Sequence, residues 1–188
     1  MIKIGITGSL ASGKTTASKL LSSRRGPLFS ADKAVKELYQ DKQFKLLISK
    51  RLNIKNNNQI KKSLKKLVLE NSKNIKKLEK IIHPLVRKKM RNFTKQNKKK
   101  RLLFYEIPLL VESKLMRYFD VIVFIKAKRK LRLKRFKSNR GNKKLFNLLN
   151  NKQITDAKKI KFCDHVVVNE KNLNILKKNL SAIIKRYE

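Results

Sequence analysis

Eight residues near the start of the chain, Gly8-Ser9-Leu10-Ala11-Ser12-Gly13-Lys14-Thr15, have types and spacing suited to holding a polyphosphate. The pattern is G-x-x-x-x-G-K-[ST], the phosphate-binding P-loop. Glycine at its first and sixth positions allows backbone angles and close approaches that a side chain would block, so successive N–H groups can converge on phosphate oxygens. A helix opening near Gly13 points the positive end of its dipole at the same anion. Lys14 has the reach and charge for β- and γ-phosphates, and the Thr15 hydroxyl suits Mg²⁺. A strand-like apolar run, Met1 to Thr7, precedes the motif, and a helical stretch, Lys14 to Leu21, follows it. That is the context the motif requires. Gly8 through Thr16 is a candidate nucleotide-phosphate site.

Carboxylates recur at the ends of other apolar runs. Asp32 follows the short run Pro27–Ser30 and opens a helical stretch, Lys33 to Tyr39. Ligands of open α/β sheets bind beyond the carboxyl ends of the strands, which puts Asp32 on the functional edge; Asp is also a good helix N-cap, and the two roles are compatible. Glu106 closes the run Arg101–Ile107, where an acidic side chain in P-loop proteins orients the Mg²⁺ shell through water. Glu112 follows in Pro108–Glu112 near the same edge. His83 is one of two histidines, suited to capping or burial as much as to chemistry. Cys163, the only cysteine, excludes an intramolecular disulfide and any cysteine-based metal site, and reads as a small core residue.

The elements that must position these residues alternate strand and helix. The runs at Met1–Thr7, Pro27–Ser30, Arg101–Ile107, Asp120–Ile125 and Asp164–Asn169 read as five strands. Helical stretches lie between them: Thr16–Ser23, Lys33–Tyr39, Lys130–Phe136, a basic helix from about Lys143 to Lys161, and Leu173–Tyr187. From Gln43 to Lys100 the sequence is helical, basic and poor in glycine, with apolar residues at helix spacing: Phe44, Leu47, Ile48 and Leu52, then Ile60, Leu64, Leu67 and Val68, then Ile75, Leu78, Ile81 and Ile82. His83-Pro84 interrupts it, with Pro84 suited to the first position of a new helix. Phe93, Phe104 and Phe136 read as core residues. The fold class is α/β, with a parallel sheet covered on both faces. The 188 residues fit one domain at about 150 residues per domain.

Lys plus Arg number 51 against 12 acidic residues, a formal net charge of +39. Such a chain attracts anions: nucleotides, nucleic acid or acidic membrane surfaces. The basic residues are spread over nearly every helical stretch, which favours solvated faces over a concentrated nucleic-acid footprint. No run approaches the ~20 apolar residues of a membrane span. The N-terminal apolar run is short and consumed by the P-loop strand, so no signal peptide is expected and the expected location is cytoplasmic.

The P-loop alone does not choose among kinases, GTPases and other ATPases, but the D-x-x-G and N-K-x-D patterns of GTPases do not occur. Leu28-Phe29-Ser30-Ala31-Asp32 resembles the D-A-D segment of dephospho-CoA kinases, Ile82-His83-Pro84-Leu85-Val86 their H-P-L segment, and Ile107-Pro108-Leu109-Leu110-Val111-Glu112 their P-L-L-x-E segment. Cys163-Asp164-His165-Val166-Val167-Val168-Asn169 is similar to the family's A-D-x-V-I-x-N stretch, and Gln153 matches a glutamine upstream of it. The match is collinear from Met1 to about Leu180. Ser30 stands where D-A-D has its first aspartate, the stretch from Arg140 to Gln153 is about two residues shorter than in the family, and Glu170 replaces a glycine often found after the asparagine.

The resemblance implies a kinase of the last step of coenzyme A synthesis, with ATP phosphorylating the ribose 3′-hydroxyl of dephospho-CoA and Mg²⁺ as cofactor. It implies a three-layer P-loop fold with a five-stranded parallel sheet. The core would span about 1–31, 101–126 and 163–188, a helical CoA-binding region about 32–100, and a small lid about 132–160. Asp32 would be the general base or orient the hydroxyl; Lys14 and Arg140, with Arg132 or Arg135 as alternatives for the lid arginine, would neutralise transition-state charge. Gly8 to Thr16, Arg140 and Asn169 would contact ATP. Asp32, His83, Arg87 and Glu112 would contact dephospho-CoA, and Thr15 would bind Mg²⁺ with Asp32 or Glu106 through water. The alternatives are another P-loop small-molecule kinase and a P-loop nucleic-acid-binding ATPase, the latter supported by the charge.

Overall fold

Continuous apolar runs bounded by loops suit strands buried on both faces, and the sheet is built from them. The computed structural model describes residues 1–54, 60, 63, 64, 67 and 73–188. Five strands, β1 (Ile2–Gly8), β2 (Leu28–Ser30), β3 (Leu102–Glu106), β4 (Val121–Lys126) and β5 (His165–Val168), make one sheet in the order β2-β3-β1-β4-β5. Every neighbouring pair is parallel. Register aligns the functional edge: Ile6 pairs with Glu106, Ser30 pairs with Glu106, and Gly8 pairs with Ile125.

Two helices, α1 (Lys14–Ser22) and α8 (Leu173–Ile184), cover one face. Ala17 and Leu21 of α1 and Leu176, Leu180 and Ile184 of α8 pack with Ile4, Ile6, Phe104, Val123 and Ile125 into the main core. The rings of Phe29, Tyr105 and Phe119 meet in successive tilted contacts beside β3, with Tyr105 and Phe104 fully buried. The remaining helices of this unit are α5 (Arg129–Ser138), α6 (Lys143–Asn151) and α7 (Asp156–Ile160). The single basic helix expected from Lys143 to Lys161 is therefore two, parted by a turn at 152–155. Edge strand β5 is covered on one side only: Val167 is buried, whereas Val166 and Val168 are exposed.

The chain divides into two compact units, Met1–Ser30 with Asn97–Glu188, and Ala31–Gln96. The second unit contains α2 (Ala31–Leu38), α3 (Lys42–Leu52) and α4 (Lys73–Gln96). Its core joins Leu38, Phe44, Ile48, Ile60 and Leu64 to Leu78, Ile81, Ile82, Leu85 and Val86. Phe44, Ile48, Ile60, Leu64, Leu78, Ile81 and Ile82 are positions picked out by helical periodicity, and Leu38, Leu85 and Val86 join them; Val68 and the side chain of Ile75 lie outside the described residues. Leu47, counted with that set, is instead exposed. Asp41 caps α3 by accepting from the Gln43 N–H at 2.8 Å.

Pro84 does not start a new helix. It lies inside α4, which runs unbroken from Lys73 to Gln96. Proline there removes one helical hydrogen bond and costs about 3 kcal/mol; burial of the Ile81, Ile82, Leu85 and Val86 stripe offsets it. Pro84→Ala is expected to stabilise the protein by about 2 kcal/mol after the greater chain entropy of alanine when unfolded. A higher urea midpoint at unchanged slope is the readout, and an unchanged or lower midpoint contradicts it.

Candidate active site

The loop after β1 is held in a shape that only its glycines permit. Gly8 has φ +152°, and a Cβ there would lie 2.4 Å from the Ile125 carbonyl oxygen. Gly13 has φ +94°, and a Cβ there would lie 2.2 Å from Asn169 Nδ2. Within the loop the Ser12 N–H donates to the Ser9 carbonyl at 3.1 Å, and the first α-helical bond is Ala17 N–H to Gly13 O at 3.0 Å. The N–H groups of Thr15 and Thr16 precede that bond, at the helix end where the backbone ladder supplies no acceptor. The N-cap residue, Gly13, has no side chain with which to cap α1, and no acidic residue lies in the first turn. An anion is the cap this helix end is built to take.

Lys14 is buried, and its Nζ donates to the Ser9 carbonyl at 2.9 Å. The Thr15 hydroxyl donates to Glu106 Oε1 at 2.5 Å, and Glu106 itself is buried. A hydroxyl and a carboxylate side by side are hard oxygen donors. They match what Mg²⁺ takes from protein when phosphates and water complete its octahedron.

Side chains from the second half of the chain grip the loop from outside. Asn169 Nδ2 donates to the Ser12 carbonyl at 2.8 Å. Arg135 donates through Nη1 to the Ser12 carbonyl at 3.3 Å and through Nη2 to the Asn169 carbonyl at 3.0 Å. Arg132 is buried and donates to the carbonyls of Ala127 (3.1 Å) and Leu10 (3.3 Å) and to Asn150 Oδ1 (2.8 Å). Burial lowers the Arg132 pKa from its ordinary value, with the Asp156 charge opposing that shift and Arg129 adding to it; a guanidinium stays protonated regardless. Gln153 Oε1 accepts from the Leu10 N–H at 3.1 Å, and the Asp156 carboxylate accepts from the Ser9 hydroxyl.

The expected site residues thus separate into groups. Gly8 through Thr16, Glu106 and Asn169 come together, with Asn169 seated on the loop itself. Arg132 and Arg135 reach the loop, whereas Arg140 is exposed beyond the end of α5 in the left-handed region (φ +61°). Glu112 is engaged by Lys159, 2.6 Å from its Oε1. Asp32, His83 and Arg87 belong to the other unit: Asp32 in the first turn of α2, His83 and Arg87 four residues apart on one face of α4. Cys163 is half-buried with Sγ 3.2 Å from the Lys159 carbonyl, and burial raises its thiol pKa to about 11, so it is a neutral packing group. Sequence reasoning missed Asp156 and Lys159. Asp156 at a helix start was a visible signal, but Lys159 was indistinguishable among so many lysines.

A family model described as dephospho-CoA kinase matches residues 2–174. The chain belongs to the dephospho-CoA kinase family. Its relatives include the dephospho-CoA kinase of Rickettsia conorii, 33% identical over 189 residues covering 100% of this chain and 98% of that protein. That of Fusobacterium nucleatum is 32% identical over 94% of each. Among solved structures, TT1252 from Thermus thermophilus superposes with a TM-score of 0.82 at 25% identity, covering 100% of this chain and 98% of that one. Shikimate kinase from Bacteroides thetaiotaomicron shares the fold at a TM-score of 0.55 and 13% identity, covering 98% of this chain and 97% of that one. In this dephospho-CoA kinase family member, Ser30 is in register with Glu106, so the position of the missing aspartate lies beside the Thr15–Glu106 pair.

Proposed function

We propose that the chain transfers the γ-phosphoryl group of ATP to the ribose 3′-hydroxyl of dephospho-CoA, giving coenzyme A, the last step of its synthesis. The carrying observation is the N-terminus of α1, opened by Gly13, with Lys14, Thr15 and Glu106 around it, in a chain related end to end to dephospho-CoA kinases. In this reading the N–H groups at the start of α1 and the Lys14 ammonium hold the ATP phosphates. Arg135 and Arg140 meet the charge that spreads over the transferred group. Asp32 orients the acceptor hydroxyl and takes its proton. His83 and Arg87 line the dephospho-CoA region. The lid is the stretch of about 132–160, and the location is cytoplasmic, in keeping with that metabolic role.

Thr15 and Glu106 are the residues that would hold Mg²⁺, which when bound neutralises phosphate charge. Glu106→Gln is expected to raise the Mg²⁺ concentration for half-maximal turnover about tenfold, by analogy with outer ligands of other metal sites. A Mg²⁺ titration at saturating substrates measures it, and an unchanged midpoint removes Glu106 from the metal site. The acceptor position is tested by incubating the protein with Mg-ATP and dephospho-CoA and weighing the product. A product carrying one added phosphate, removable by a 3′-specific nucleotidase, supports the reading; phosphate elsewhere on the molecule, or none, contradicts it.

A further inference from the structure

Lys159 is the one lysine among the described residues whose side chain is wholly removed from solvent, and the reaction proposed above does not use it. Its Nζ is 2.6 Å from Glu112 Oε1, and that same oxygen accepts the Ile154 N–H at 3.2 Å. Glu112 lies in the segment following β3, a segment tied to the P-loop strand: Pro108 O accepts from the Thr7 hydroxyl at 3.2 Å, and the Ile107 N–H donates to Ile6 O at 2.9 Å. The buried pair therefore fastens the turn at 152–155 and α7 to the frame of the sheet. From that fastened segment Gln153 takes the Leu10 N–H and Asp156 takes the Ser9 hydroxyl.

A buried ammonium with one carboxylate partner is costly to keep unless it holds something in place. Here the residues it holds reach the second and third positions of the phosphate loop, while the first is crowded against the Ile125 carbonyl and the sixth against the Asn169 side-chain amide. We propose that the Glu112–Lys159 pair is a positioning device for the ATP phosphate site, acting through Gln153 and Asp156 on Ser9 and Leu10. It rests on the reading of the loop as the ATP site but not on the identity of the acceptor. Glu112 is then occupied with Lys159, which argues against the substrate contact the motif resemblance suggests for it.

The test measures Mg-ADP binding by calorimetry with no acceptor present, on the full chain. Lys159→Met and Gln153→Ala are each expected to raise the ADP dissociation constant about five- to tenfold, the scale of one lost hydrogen bond in a positioned site. The double variant is expected to lose about as much as Lys159→Met alone, because both changes cut one chain of contacts. The KM for dephospho-CoA is expected to be unchanged, a split that general loosening of the fold would not produce. If Lys159→Met does not fold, Gln153→Ala leaves the buried pair intact and tests the same connection. Wild-type ADP affinity in both single variants, or fully additive losses in the double, overturns the proposal. Failure of the wild-type protein to bind Mg-ADP overturns the ATP-site reading and this inference with it. ADP binding without turnover of dephospho-CoA overturns only the acceptor.

Discussion

Lys14→Met is expected to lower turnover by about a thousandfold, the upper range for loss of one preorganised charge-stabilising group. Methionine keeps the length and most of the packing of the lysine stem, so the buried position stays filled. What is lost is the ammonium, which in this structure donates to the Ser9 carbonyl at 2.9 Å within the loop that would surround the phosphates. Its stabilisation grows as charge moves onto the phosphate oxygens in the transition state, so turnover suffers more than ATP binding. Steady-state kinetics at saturating Mg-ATP and dephospho-CoA, beside a thermal melt to confirm folding, make the comparison. Turnover within a few-fold of wild type contradicts the P-loop assignment.

Asp32→Asn is expected to cut turnover by about a hundredfold or more while leaving the KM for ATP nearly unchanged, as removal of a general base does. Asparagine preserves the shape, and loss of the charge from the first turn of α2 costs only about 0.5 kcal/mol of helix stability. The family's first aspartate of D-A-D is Ser30 here, so in the proposed mechanism Asp32 would act without a neighbouring carboxylate in that segment. If the substitution instead weakens ATP binding and leaves turnover intact, Asp32 belongs to the nucleotide site.

The sheet was legible because parallel strands buried on both faces leave uninterrupted apolar runs, and all five are strands in the structure. The P-loop was legible because Gly8, Gly13, Lys14 and Thr15 are each demanded by local geometry, and the Cβ clashes at the two glycines show that demand directly. Pro84 was misread because local propensity argues for a helix boundary, while the apolar stripe on both sides of it argues for continuity and prevails by burial. The turn at 152–155 was missed because the stretch has no glycine or proline; it is set by tertiary contacts, Ile154 N–H to Glu112 and Gln153 to Leu10. The bond from Asn169 to Ser12 of the phosphate loop was not legible, because it joins residues 157 positions apart. Spacing arguments reach across a turn or a strand, not across such a distance. The +39 charge gave no pointer to the site, since the basic groups that reach the loop, Arg132 and Arg135, are two among 51 Lys and Arg residues.

The most direct test is ADP release by the purified protein with Mg-ATP, alone and with dephospho-CoA, AMP, shikimate or single-stranded RNA in parallel. Strong stimulation by dephospho-CoA alone, with stoichiometric coenzyme A formed, is the expected result. Stimulation by RNA or by another small acceptor, with dephospho-CoA inert, contradicts it and moves the function away from the one its family relationship implies.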